Sequence, residues 1–346
     1  MKLLCVTSLN PDTTSWARYR GLQAITDAGA FCTDPYFEEL GPVRRRMEAR
    51  LFYGPAFRRA NKALLKRVAD SNPEAVWVDK GYWIWPSTLK RIRLTGAKLI
   101  QHNTDALKPT NITAYWLYWL LRRTLFRYDH YLTSNLGDYH RLKGKQRPVT
   151  RLTHLGYDDE RFDSRPLPAK TAEEWRNDVI FVGHYEPRTE AGICALVEAG
   201  IDVAVFGANW HKALKLRALR PGPVRRQLSM DEYVYALKGA AIGLCFVSAW
   251  NGNETAGRSF EIPASGTFLL AMRTPQHEEL YREGLEAEFF GDPAELVRKA
   301  SYYLIEEDAR RRIAERGHAR CTGSDYSWRR YAQDDWRSIM FGSNLS

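Results

Sequence analysis

Short apolar segments rich in β-forming residues alternate with segments of helical periodicity along this chain, and the alternation runs twice. The first series has strands expected at Lys2 to Ser8, Ala75 to Asp79, Ala97 to His102 and Tyr128 to Ser134, with helices expected at Trp16 to Ala28 and Pro86 to Leu94. Periodicity lapses around Asp163-Ser164-Arg165-Pro166-Leu167-Pro168, then resumes with strands at Asp178 to Gly183, Asp202 to Phe206 and Ala241 to Val247. Helices at Thr189 to Ala199 and Met230 to Lys238 separate them. Runs of this kind demand parallel sheets covered by helices, because parallel strands need crossover connections and are buried on both faces. The expected architecture is therefore α/β, with two doubly wound domains: 1–162, a linker at 163–175, and 176–324. Two such domains facing each other would leave a cleft between the carboxyl ends of their strands.

Composition removes several other classes. With 346 residues and 11 Trp, 18 Tyr and 14 Phe, the chain has enough aromatic mass for two cores and is not disordered. The longest apolar run, 112–121, is too short to span a bilayer. The amino terminus reads as a strand, not a secretory signal, which implies a cytoplasmic location. Five cysteines, odd in number and widely spaced, suggest neither a disulfide framework nor a zinc site.

The net charge of +10 is local: residues 41–67 carry nine Lys or Arg against Glu48 alone. Lys212 to Arg226 forms a second cluster, containing six basic residues and no acid. Pro55 suits a helix start, and Phe57, Ala60, Leu64 and Val68 fall on one face of that helix, away from Arg58, Arg59, Lys62 and Lys66. Such a cationic face suits a solvated helix packed on a sheet, or contact of Arg44 to Arg67 with an anionic membrane or phosphorylated acceptor lipid at the inner membrane face. No zinc-finger, RNP-like or helix-turn-helix pattern supports nucleic acid as a partner.

The most specific segment is Gly257-Arg258-Ser259-Phe260-Glu261-Ile262-Pro263-Ala264-Ser265-Gly266, followed by an apolar strand. A glycine ahead of a helix lets backbone N–H groups approach an anion. Arg258 could pair with a phosphate, and Glu261 could accept hydrogen bonds from a ribose diol. Gly252 to Ser259 matches a P-loop apart from Arg258 in place of lysine, but no Walker-B strand accompanies it.

This segment, with Arg273-Thr274-Pro275-Gln276-His277, Glu283-Gly284, Glu286-Ala287-Glu288-Phe289-Phe290, Tyr302-Tyr303-Leu304 and Tyr326-Ser327, resembles the C-terminal domain of CgeB-like, spore-maturation-type glycosyltransferases. Upstream, Phe181-Val182-Gly183-His184-Tyr185-Glu186-Pro187-Arg188 and, more weakly, Val78-Asp79-Lys80-Gly81 extend the resemblance. It implies a GT-B-like pair of Rossmann-like domains, with acceptor binding in the first and nucleotide-sugar binding in the second. A final helix within 325–346 would cross back to the first domain. The implied reaction is retaining transfer of a hexose from a nucleoside diphosphate sugar to a glycan, lipid-linked or protein acceptor. Beyond that co-substrate the resemblance implies no cofactor and no metal.

On matching positions, Glu261 corresponds to the second glutamate of the family's Glu-x7-Glu motif. The first would be residue 253, which is Asn253, with Glu254 one place out of register. Gly183 and His184 fall in the donor loop. Arg188 matches a basic residue that neutralises the diphosphate, or else is a surface arginine paired with Glu186 or Glu190. Lys80 and the loop bearing Thr14, Ser15 and Arg18 fall on the acceptor side, although Thr14 or Ser15 would serve equally as a helix N-cap.

From their place after a buried strand, His102 and Asp105 are expected to face the cleft, one of them as a general base, with a structural histidine as the other reading. The Trp- and Tyr-rich run 114–123 suits a buried packing helix or an interfacial belt. Two rival functions stand beside transfer. One is a non-catalytic glycosyltransferase-like binding protein. The other is a dinucleotide-dependent oxidoreductase, which the absence of a glycine-rich loop after the first strand disfavours.

Overall fold

The computed structural model describes residues 1–37, 41–110, 112–219 and 226–342. The chain forms two compact units. The first comprises Met1–His154, Trp250–Asn253 and the chain from Trp328 onward; the second comprises Leu155–Ala249 and Glu254–Ser327.

In the first unit six strands, β1 (Lys2–Thr7), β2 (Asp27–Cys32), β3 (Ala75–Asp79), β4 (Lys98–Asn103), β5 (His130–Thr133) and β6 (Val149–Leu152), form one sheet in the order β2-β1-β3-β4-β5-β6. Every pairing is parallel. Alternation along the strands gives the sheet two cores. Leu4, Val6, Val76 and Val78 face helix Pro55–Ser71 through Phe57, Ala60, Leu64 and Val68. Leu3, Cys5 and Trp77 face the other way, onto Tyr19 and Leu22 of helix Thr14–Gln23 and onto Ala332, Trp336 and Ile339 of helix Trp328–Phe341. These two helices lie so close that a Cβ on Gly21 would come within 2.8 Å of the Arg329 Cα.

The second unit holds β7 (Asn177–Val182), β8 (Val203–Phe206), β9 (Ala240–Cys245), β10 (Phe268–Met272) and β11 (Glu288–Phe290) in the order β11-β10-β9-β7-β8, again all parallel. Val179 and Phe181 pack with Ile193 and Leu196 on one face of the sheet, while Ile180 packs with Phe260, Ile262 and Leu269 on the other.

Each sheet has a point where successive crossovers leave in opposite directions, between β1 and β3 in the first unit and between β7 and β9 in the second. In open α/β sheets ligands bind beyond the carboxyl ends of strands at such points.

Several elements differ from expectation. The helix expected to reach Ala28 ends at Gln23, because Asp27–Cys32 pairs with β1 as an edge strand despite having no β-branched residue. Strand β6 is likewise present without a clear signal in its sequence. The stretch 163–175 lies inside the second unit and carries a helix, Ala169–Glu174. Of the second basic cluster, Arg220 and Arg225 lie outside the described residues. Among the described residues no helix is long and apolar enough to cross a membrane.

Candidate functional site

In the second unit the carboxyl ends of β7 and β9 are tied together by Arg258, which opens helix Arg258–Ala264. Its guanidinium donates to the Val182 carbonyl at 2.9 Å and the Phe246 carbonyl at 3.0 Å, and lies over the Phe181 ring. A fixed positive charge thus stands at the switch point, with Nε buried and without a hydrogen-bond partner. Gly183 makes room for it, since a Cβ there would come within 2.9 Å of the guanidinium. The approach of Gly207 is tighter still: at φ +128° it lies where a Cβ would overlap the Gly183 carbonyl, so both positions need glycine.

Glu261, one turn into the helix, is buried, and its Oε2 accepts a hydrogen bond from Tyr233 at 2.7 Å. Burial raises its pKa despite the Tyr233 bond and the nearby Arg258 charge. Gly257 leaves space for the carboxylate, which a Cβ would approach to 3.0 Å. A buried carboxyl group of this kind gains from further O–H donors.

Ser259 does not belong with these ligand-facing groups. Its Oγ accepts from Ala256 N at 3.0 Å and sits 2.7 Å from His277 Nε2. His277 Nδ1 is 2.7 Å from the Met272 carbonyl, which can only accept, so Nδ1 carries the proton and Ser259 donates to Nε2. Ser259 is therefore a completely buried knot beneath the helix.

Arg188 lies exposed in the first turn of helix Pro187–Glu198. The carboxylates considered as its partners are engaged with other groups. Glu186 accepts from Ser248 Oγ and Ala249 N, and Glu190 from Tyr185 and the backbone of Lys215 and Leu216. His184 is also exposed, 3.4 Å from Glu186. Glu186, named from the sequence only as a candidate partner of Arg188, thus holds the 248–249 loop. Its pKa is lowered: burial opposes ionisation, but the bonds from His184, Ser248 and Ala249 outweigh it.

The two candidates for the first motif glutamate have separate tasks. Asn253 belongs to the first unit, where its amide accepts from Asn135 at 2.8 Å and donates to the Thr104 carbonyl at 3.2 Å. Glu254 belongs to the second unit and accepts from Gln276 N at 3.2 Å.

The first unit has its own cluster at the β1/β3 switch point. Asp79 accepts from Thr7 Oγ1 at 2.9 Å, from Arg18 at 3.2 Å and from His102 Nδ1 at 3.2 Å. Burial would raise its pKa, but Arg18, His102 and Thr7 hold it well below the usual carboxylate range. Burial, helped by Arg18, pushes His102 down to about 4, so it is neutral at pH 7.

Arg18, expected on the acceptor side, is itself buried over Trp328 and serves as the structural counter-ion of Asp79. Asp105 accepts from Lys80 at 3.0 Å, Tyr118 at 2.5 Å and Asn251 at 3.3 Å. Burial raises its pKa less than Lys80 and Tyr118 lower it, which makes it an ion-pair partner and a weak base. Thr13, not Thr14 or Ser15, takes the N-cap position; Thr14 is exposed, and Ser15 Oγ accepts from Arg18 at 3.2 Å.

Beside this cluster a cavity of about 390 Å³ is lined by Ser8, Asp34, Lys80, Trp83, Glu48 and Phe52. Among the described residues no group of three or more His, Cys, Asp or Glu could hold a metal ion.

Residues 188–334 match the family described as glycosyl transferase-like. No curated protein matches the chain. Among solved structures it is similar to sucrose-phosphate synthase from Thermosynechococcus elongatus, at 12% identity over 99% of this chain and 100% of that one, with a TM-score of 0.69. It is also similar to HepE of Anabaena in complex with UDP-glucose, at 12% identity over 98% and 99% of the two chains, with a TM-score of 0.66. A Listeria monocytogenes structure assigned as a UDP-N-acetylglucosamine 2-epimerase has 13% identity over 98% and 95%, with a TM-score of 0.58. The shared fold is that of GT-B glycosyltransferases, two parallel-sheet α/β Rossmann-like domains.

Proposed function

We propose that this protein is a nucleotide-sugar-dependent glycosyltransferase of the CgeB-like kind, moving a hexose with retention from a nucleoside diphosphate sugar to a glycan, protein or lipid-linked acceptor. The observation that carries the reading is the placement of Glu261 and Arg258 at the switch point of the second sheet. There a buried carboxyl group suits a ribose diol and a fixed cation suits phosphate. UDP-sugars are the first donors to test, since UDP-glucose is bound by the similar Anabaena protein. Titration calorimetry with UDP-, GDP- and dTDP-sugars should find one that binds. Glu261→Gln should weaken that binding by about tenfold or more, the cost of a lost charge-assisted bond. If no nucleotide binds, the assignment fails.

In this reading Arg188 supplies mobile positive charge to the departing diphosphate, with no resident metal. Because that charge matters most as the glycosidic bond breaks, Arg188→Ala should lower kcat by about 10²-fold or more while donor affinity changes less. The wild-type rate should be unaltered by a chelator. Normal turnover in the variant would remove Arg188 from the site.

A non-catalytic sugar-nucleotide binding protein is the second reading. It is favoured by the engagement of the Asn253 amide with Asn135 and Thr104, which leaves no acid at that motif position. Saturable donor binding with neither transfer nor hydrolysis would select it.

A further inference from the structure

In the first unit, helix Pro42–Leu51 packs against helix Ile112–Leu117. Trp116 Nε1 donates to the Arg50 carbonyl at 3.1 Å, and its ring lies 6.0 Å from that of Phe52. On the outside of these helices apolar side chains stand in solvent. Val43, Met47 and Leu51 are 72%, 58% and 70% exposed, with Ile112 and Trp116 beside them in the second helix. The spacing of four residues lines up Val43, Met47 and Leu51 in one stripe.

Exposed basic residues accompany the stripe: Arg44 and Arg50 on the same helix, and Arg58, Arg59 and Lys62 on the next. The one acid of this stretch, Glu48, is turned inward. Only 5% exposed, it accepts from Ala56 N at 3.0 Å and from Arg44 Nε at 3.0 Å. Glu48 is the only acid of the 41–67 stretch, and its ion pair with Arg44 leaves Arg50, Arg58, Arg59 and Lys62 unopposed by any acid of that stretch.

We propose that this face docks on an anionic lipid bilayer, with Val43, Met47, Leu51, Ile112 and Trp116 at the headgroup boundary and the basic residues against the lipid phosphates. Apolar side chains flanked by cations, in a stretch (41–67) whose sole acid is turned inward, have the chemistry of an interfacial helix. Glu48, Ala49 and Leu117 of the same two helices, with Phe52 just beyond the first, line the cavity that Lys80 also lines. A bilayer-bound face with a cavity at its back identifies the acceptor as an amphiphile held by its lipid tail, with its head carried to Lys80. That clause rests on the proposed transferase function; the docking does not.

Sedimentation with vesicles of phosphatidylcholine, alone or with 30% phosphatidylglycerol, tests it. The full chain should pellet with the anionic vesicles only, and high salt should release it. Arg58→Ala/Arg59→Ala should lower partitioning about 30-fold, the factor conferred by two basic residues near an anionic surface. Met47→Glu/Leu51→Glu should abolish it, with circular dichroism and nucleotide affinity unchanged. Equal binding to neutral vesicles, retention by the Met47/Leu51 variant, or no vesicle binding by a protein that binds nucleotide would overturn the docking. Docking without nucleotide binding would leave it standing and sink the transferase reading instead.

Discussion

Ser259 lies between Arg258 and Glu261 in the segment expected to hold the donor, yet the structure shows its hydroxyl locked to His277. The consequence is measurable. Ser259→Ala leaves His277 Nε2 without a donor and Ala256 N without its acceptor, so unfolding free energy should fall by about 1–3 kcal/mol in denaturant titrations. Donor affinity should change little if the helix still forms. A similar distinction separates Glu261 from His102. Both follow recognisable signals in the sequence, but His102 is already paired with Asp79, whereas Glu261 has a single side-chain donor among its described hydrogen bonds. Position after a strand was legible in the sequence; whether the side chain is already committed was not. That depends on partners far along the chain, such as Arg18 for Asp79 and Asn251 for Asp105.

Among elements, strands with continuous apolar runs were readable, and those stabilised chiefly by a neighbour were not. Lys2–Thr7 and Ala75–Asp79 carry their own signal, while Asp27–Cys32 exists through its pairing with β1. Helix Trp328–Phe341 also owes its place to tertiary contacts, and it brings Asp335 into a half-buried position where Thr153 donates to it at 2.6 Å. Burial raises that carboxyl group to about 7, from an ordinary value near 3.8. The unfolded chain loses this proton first as pH rises, so the contribution to stability is complete below about 4 and disappears on passing 7. Asp335→Asn should therefore gain stability relative to wild type as pH rises from about 4 to 7. Paired Tm measurements across that range check it, and parallel curves would show that Asp335 ionises normally.

For the whole molecule, the twofold repetition of strand and helix sufficed to place the chain in the α/β class with two sheets, because parallel strands cannot be connected in any other way at these spacings. The finer division was hidden. Nothing in Trp250 to Asn253 announces that four residues within the second series belong to the first unit, where Asn251 and Asn253 bond to Asp105, Asn135 and Thr104. At this loop Asn253, which stands where the first glutamate of the motif would fall, is bonded to the Thr104 backbone and to the Asn135 amide.

The helix that closes the first unit, Trp328–Phe341, follows every other described helix in the chain. Until Trp336 and Ile339 have emerged from the ribosome, Leu3, Cys5 and Trp77 lack the cover that the helix provides, although they were synthesised hundreds of residues earlier. The second unit has all of its strands by Phe290 and all of its residues by Ser327. During synthesis the second unit is therefore completed before the first, and the amino-terminal sheet stays partly uncovered until helix Trp328–Phe341 has been made.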